Sequence, residues 1–84
     1  MPYLLVEYDH DPPITLEALT DGVRRLEPCL AVRGIRKLRS WVSTDRRWGI
    51  CEYEAADAES VREAYRSADV KFLRVRSADL FGPP

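Results

Sequence analysis

Histidine is almost absent from this sequence of 84 residues, which holds one histidine, one methionine, two phenylalanines and two cysteines. The cysteines, Cys29 and Cys51, have neither a CxxC spacing nor a histidine close in sequence, so no zinc site is written locally into the chain. Both fall in apolar surroundings and read as buried free thiols. A disulfide is the alternative, disfavoured in a reducing compartment. His10 lies on a loop between Asp9 and Asp11, before two prolines. Adjacent loop residues converge on one ion less readily than ligands spaced along a helix or across strands. It therefore reads as a solvated histidine at a strand end, with a divalent-cation site as the alternative.

An excess of charge is missing as well. Thirteen basic residues against fourteen acidic ones give a formal net charge of -1, which provides no global field to draw in nucleic acid or an anionic membrane. Long hydrophobic runs are also lacking. The opening MPYLLVEYDH meets a glutamate within a few residues and no small-residue cleavage site follows, so neither a signal peptide nor a membrane span is expected, and the expected location is cytoplasmic. No catalytic signature is present, and nothing fixes a nucleophile.

What is there is an ordinary globular composition, 45% hydrophobic and 32% charged. A chain of this length supports one domain, 1–84, around a thin core, and small domains often dimerise to bury more surface. Pro2 to Asp9 alternates in the period of a strand. Thr15 is a plausible N-cap for an amphipathic helix from Leu16 to about Leu30, with its stripe at Leu16, Leu19, Val23, Leu26 and Leu30. Pro28 is expected to kink that helix or loosen its last turn before Gly34 ends the segment. Ile35 to Ser43 and Arg47 to Ala55 read as an antiparallel hairpin turning at Thr44, Asp45 and Arg46. Asp57, or alternatively Ser60, starts a second helix with Val61, Ala64, Tyr65 and Ala68 inward, and Lys71 to Ser77 alternates as a fourth strand.

The order strand, helix, strand, strand, helix, strand is the split βαβ arrangement of a ferredoxin-like α+β fold, βαββαβ. Right-handed crossovers place both helices on one face of a four-stranded antiparallel sheet of order 4-1-3-2. Alternation then assigns Leu4, Val6, Tyr8, Leu38, Val42, Cys51, Tyr53, Ala55, Leu73 and Val75 to the helix-covered face. Tyr3, Leu5, Glu7, Lys37, Arg39, Trp41, Trp48, Ile50, Glu52, Phe72, Arg74 and Arg76 fall on the helix-free face.

That second face is too apolar to stay in water without a reason, and interspersed charges make it suited to a partner or a small ligand. Glu7, Arg39, Trp41, Trp48, Glu52 and Arg74 are the candidate ligand-binding residues, the glutamates orienting donors and the arginines an anionic group. The plainer alternative is a half-solvated sheet whose tryptophans lie flat under arginine side chains, stabilised by stacking alone.

The strand ending in Val6 and Glu7, the segments LRSWVS and CEYEA, the helix start DAESVREAYRSADV and the closing FLRVRSADLF resemble a small ferredoxin-like family known as a domain of unknown function. That family includes nickel-binding proteins. The resemblance covers nearly the whole chain and implies the same fold. It also implies a histidine just before the Ser-aromatic-Val of the second strand, where this chain has Arg39 before Ser40, Trp41 and Val42. A guanidinium does not deprotonate at accessible pH and is no metal ligand. No metal site and no cofactor are therefore expected.

Three functions remain. The first is a homodimeric module binding a small molecule on the helix-free face. The second is a small enzyme of the dimeric α+β barrel type acting on a small organic molecule, with Glu7 and Glu52 as acid and base and Arg39 or Arg74 stabilising negative charge. The third is nickel binding as in family members. Nucleic acid is not an expected partner, because the RNA-recognition strand signature is missing and Glu7 and Glu52 repel phosphate.

Overall fold

The computed structural model describes residues 2–83. Its elements are β1 (Tyr3–Asp9), α1 (Leu16–Ala31), β2 (Arg36–Val42), β3 (Trp48–Glu54), α2 (Ala58–Ser67) and β4 (Arg74–Ala78). The strands form one four-stranded sheet of order β2-β3-β1-β4, every neighbouring pair antiparallel. This is the ferredoxin-like βαββαβ fold. Among the described residues no helix is long and apolar enough to cross a membrane.

The helices begin where side chains can satisfy the first unpaired backbone N–H groups. Thr15 Oγ1 accepts from the Ala18 N–H at 3.1 Å, and Asp57 Oδ1 accepts from the Ser60 N–H at 2.7 Å. Asp57, not Ser60, is thus the cap of α2. Hydrogen bonds from the Ser60 backbone and then its hydroxyl hold the Asp57 carboxyl below the usual range. A depressed folded-state pKa contributes stability that is present above the unfolded value and lost as pH falls through the folded one. Replacing Asp57 by alanine is expected to lower the melting temperature at neutral pH and to flatten its decline through the acid range. Thermal melts of both proteins across that range check this.

Pro28 does not break α1, which runs on to Ala31. The Val32 N–H reaches the Pro28 carbonyl at 3.2 Å, the Ile35 N–H reaches the Leu30 carbonyl at 3.1 Å, and Gly34 closes the end at φ +66. That left-handed position suits glycine. Arg25 Nη1 donates to the carbonyls of Ala68 and Asp69 at 2.9 and 3.1 Å, so a side chain of α1 satisfies the C-terminal end of α2.

The core lies between the helices and one sheet face. Leu4, Val6, Tyr53 and Val75 from the sheet meet Leu26 and Leu30 of α1 and Val61, Ala64 and Tyr65 of α2. The Tyr53 and Tyr65 hydroxyls are 2.6 Å apart, and burial pushes both of their pKa values up. Cys29 and Cys51 are free and half-buried, packed against this core. Gly49 is buried where a Cβ would overlap the Tyr8 ring and the Trp41 carbonyl, so the ring of Tyr8 depends on glycine there.

Alternation fails at a few positions, and each failure has a local cause. A bulge in β2 leaves Lys37 opposite Tyr53 and Arg39 opposite Glu52, with Leu38 extra between them. Leu38 therefore leaves the core face for the helix-free face, while Lys37 is turned to the other side. β4 starts only at Arg74, so residues 71–73 do not follow its alternation. Phe72 packs edge-on to Tyr65 at 5.6 Å and joins the core, and Leu73 is exposed. Leu16, in the first turn of α1, is exposed as well.

Candidate functional site

Cross-strand register sorts the helix-free face into rows. Trp41, Ile50, Glu7 and Arg74 are successive partners across the sheet, as are Arg39, Glu52, Leu5 and Arg76, and then Arg36, Glu54, Tyr3 and Ala78. Trp48 stands opposite Asp9 at the hairpin end of the same face. Directly opposed side chains lie close enough to interact, so each row is a chain of contacts.

Glu52 organises the centre. Its Oε1 accepts from Arg39 Nε and its Oε2 from Trp41 Nε1, both at 2.9 Å. The indole is held by its polar edge, and Trp41 remains 56% exposed. Two further ion pairs flank this group, Arg36 with Glu54 and Arg74 with Glu7, the latter at 3.4 Å. Exposed pairs such as these add little stability. Their effect is to neutralise charge across a face whose floor is apolar.

An open concavity of about 870 Å³ lies toward the Arg36–Ala78 end of this face. Leu5, Leu38 and Ile50 line its floor, Trp41 and the Arg39–Glu52 pair one wall, and Leu80 and Phe81 beyond β4 the rim. Of the six residues expected from sequence, Arg39, Trp41 and Glu52 are brought together here. Glu7 and Arg74 pair with each other on the same sheet face but outside the concavity lining, and so does Trp48 lie outside it. Arg36, Leu38, Glu54 and the tail residues were missed. The bulge hides Leu38 from simple alternation, and Leu80 and Phe81 follow the last strand with no periodicity to mark them.

His10 lies edge-on to Tyr8 with ring centroids 5.3 Å apart, and Asp11 pairs with Arg47 at 3.2 Å. Among the described residues no three histidine, cysteine, aspartate or glutamate side chains come together as a metal-ligand group.

The model of a family described as "Nickel responsive protein SCO4226-like" matches residues 4–77. The chain belongs to this SCO4226-like family. No curated protein matches it. Among solved structures, the crystal structure of SCO4226 from Streptomyces coelicolor A3(2) superposes with a TM-score of 0.83 at 15% sequence identity, covering 95% of this chain and 99% of that one. At such identity the likeness is one of fold, and it agrees with the SCO4226-like architecture of two helices over one face of a four-stranded sheet.

Proposed function

We propose that this protein is a small-molecule-binding module that works as a homodimer, with the helix-free face of the sheet as both its association surface and its ligand surface. The observation that carries this reading is the half-exposed pair of tryptophans on that face, Trp41 at 56% and Trp48 at 43%, beside a concavity floored by Leu5, Leu38 and Ile50. Aromatic surface of this kind is what association and ligand sites bury. Glu52 has both oxygens engaged within the chain, and Arg36 and Arg74 have carboxylate partners. The concavity therefore offers apolar floor and an exposed indole, which suits a ligand with a largely uncharged, apolar body.

Nickel does not enter this reading. The family's description speaks of nickel response, but the donor groups gathered on the described face are guanidinium, indole and paired carboxylate, and a guanidinium is no ligand for a divalent cation.

Both tryptophans of the chain lie on the helix-free face, so tryptophan fluorescence, excited where tyrosine does not absorb, reports on that face alone. On dilution from high micromolar to nanomolar protein, emission is expected to shift to the red and to become more accessible to acrylamide. Solvent-like emission that does not change with concentration is the result that would remove the dimer reading.

A further inference from the structure

We propose that the C-terminal tail of one copy completes the concavity of a second copy, with Leu80 and Phe81 laid against the partner's Leu38. This rests on the dimer reading above. Phe81 is 100% exposed and Leu80 54%, although both border an apolar concavity of their own chain. The tail leaves the sheet at Ala78 on β4, while Leu38 lies in β2 at the opposite edge. Strands about 4.8 Å apart put β2 roughly 14 Å from β4. The backbone from Ala78 to Phe81 spans at most about 10 Å when extended. Within one chain the backbone at Phe81 thus lies about one strand short of β2.

A two-fold axis lying between two helix-free faces, along the strand direction, removes that shortfall. It reverses the strand order across the sheet without reversing the strands, so β4 of one copy lies over β2 of the other, about 10 Å away as in stacked sheets. The Ala78 end of β4 and the Arg36 end of β2 stay at one level, because Ala78, Tyr3, Glu54 and Arg36 form a single row. The tail then crosses the gap near the partner's Leu38, and the symmetry repeats the contact on the other side.

The charges of the rows accept this arrangement. In the first row Trp41 faces the partner's Arg74, a cation over an indole, and Ile50 faces the partner's Glu7. In the row of Ala78, Arg36 faces the partner's Ala78 and Glu54 the partner's Tyr3. Only in the middle row do like charges meet, Arg39 with the partner's Arg76, and there Glu52 is bonded to Arg39.

The test uses two proteins that each carry Cys29→Ala and Cys51→Ala, one with Leu38→Cys and the other with Phe81→Cys. Mixed and mildly oxidised, they are expected to form a disulfide-linked heterodimer on a non-reducing gel. A chain carrying Leu38→Cys and Phe81→Cys together is expected to link between copies. An internal disulfide in a monomer would overturn the proposal. A dimer by sedimentation that gives no mixed disulfide would overturn it too while leaving the dimer reading in place, whereas a monomer by sedimentation removes both. Removal of residues 80–84 from the chain with its natural cysteines is an independent check, free of any effect of the cysteine replacements. Its dimer dissociation constant is expected to rise at least about tenfold, as loss of an anchoring aromatic does, and an unchanged constant would overturn the proposal.

Discussion

Replacing Tyr53 by alanine is expected to unfold the chain at ambient temperature. Tyr53 is 0% exposed and is the largest of the fully buried side chains, near the C-terminal end of β3 and bonded to Tyr65 of α2. Emptying an aromatic core position costs about 3–5 kcal/mol. The Tyr65 hydroxyl, left without its partner at 2.6 Å, adds a desolvation cost of about 1–3 kcal/mol. Small domains have total stabilities near the low end of about 5–15 kcal/mol, so the sum consumes most or all of the margin. Tyr53→Phe keeps the ring and loses only the hydroxyl pair, so that variant is expected to fold with a lowered urea midpoint. Circular dichroism during urea titration separates the two. A Tyr53→Ala protein as stable as the natural one would mean that the core is not built on the helix-covered face.

Trp41→Ala is expected to do the reverse. Its side chain is more than half exposed and makes one hydrogen bond, to Glu52, so monomer stability should change by less than about 1 kcal/mol, as at surface sites away from the core. Association should weaken by roughly 30-fold, the ~2 kcal/mol typical of a central aromatic anchor. Urea denaturation measured at concentrations where the variant is monomeric gives the first quantity, and concentration-dependent sedimentation gives the second. If Trp41→Ala unfolds the chain with an unaltered tendency to associate, the helix-free face is structural and not an association surface.

The contrast between these residues was legible in the sequence because Trp41 and Tyr53 lie on adjacent strands with opposite parity. The element order and both helix caps follow from patterns local to a few residues, such as Thr15 and Asp57 ahead of apolar stripes, and the sheet order follows from that element order through the handedness of the crossovers. What parity could not show was where it is interrupted. The bulge that moves Leu38 onto the helix-free face is a property of the pairing between β2 and β3, where Lys37 and Arg39 flank the extra residue, and no glycine or proline announces it. Phe72 and Leu73 exchange places for a similar reason. The chain bends at Leu73, whose N–H is already tied to the Glu7 carbonyl, before β4 begins at Arg74, and the larger ring of Phe72 takes the space beside Tyr65.

For the candidate site, sequence alternation put Arg39, Trp41 and Glu52 on one face, and register made them neighbours. Glu7 and Arg74 share that face and pair directly across β1 and β4, but the concavity forms at the Arg36–Ala78 end of the sheet, bordered by the bulged β2 on one side and the tail beyond β4 on the other. Leu80 and Phe81 lie beyond the last strand, outside any hydrophobic period, so only the folded chain shows that they border the same hollow.

Sedimentation equilibrium of the unmodified chain across the micromolar range tests most directly whether the helix-free face is an association surface. A species of twice the chain mass that dissociates on dilution, and does so at higher concentration for Trp41→Ala, is the expected result. A single species of one chain mass at every concentration would contradict it.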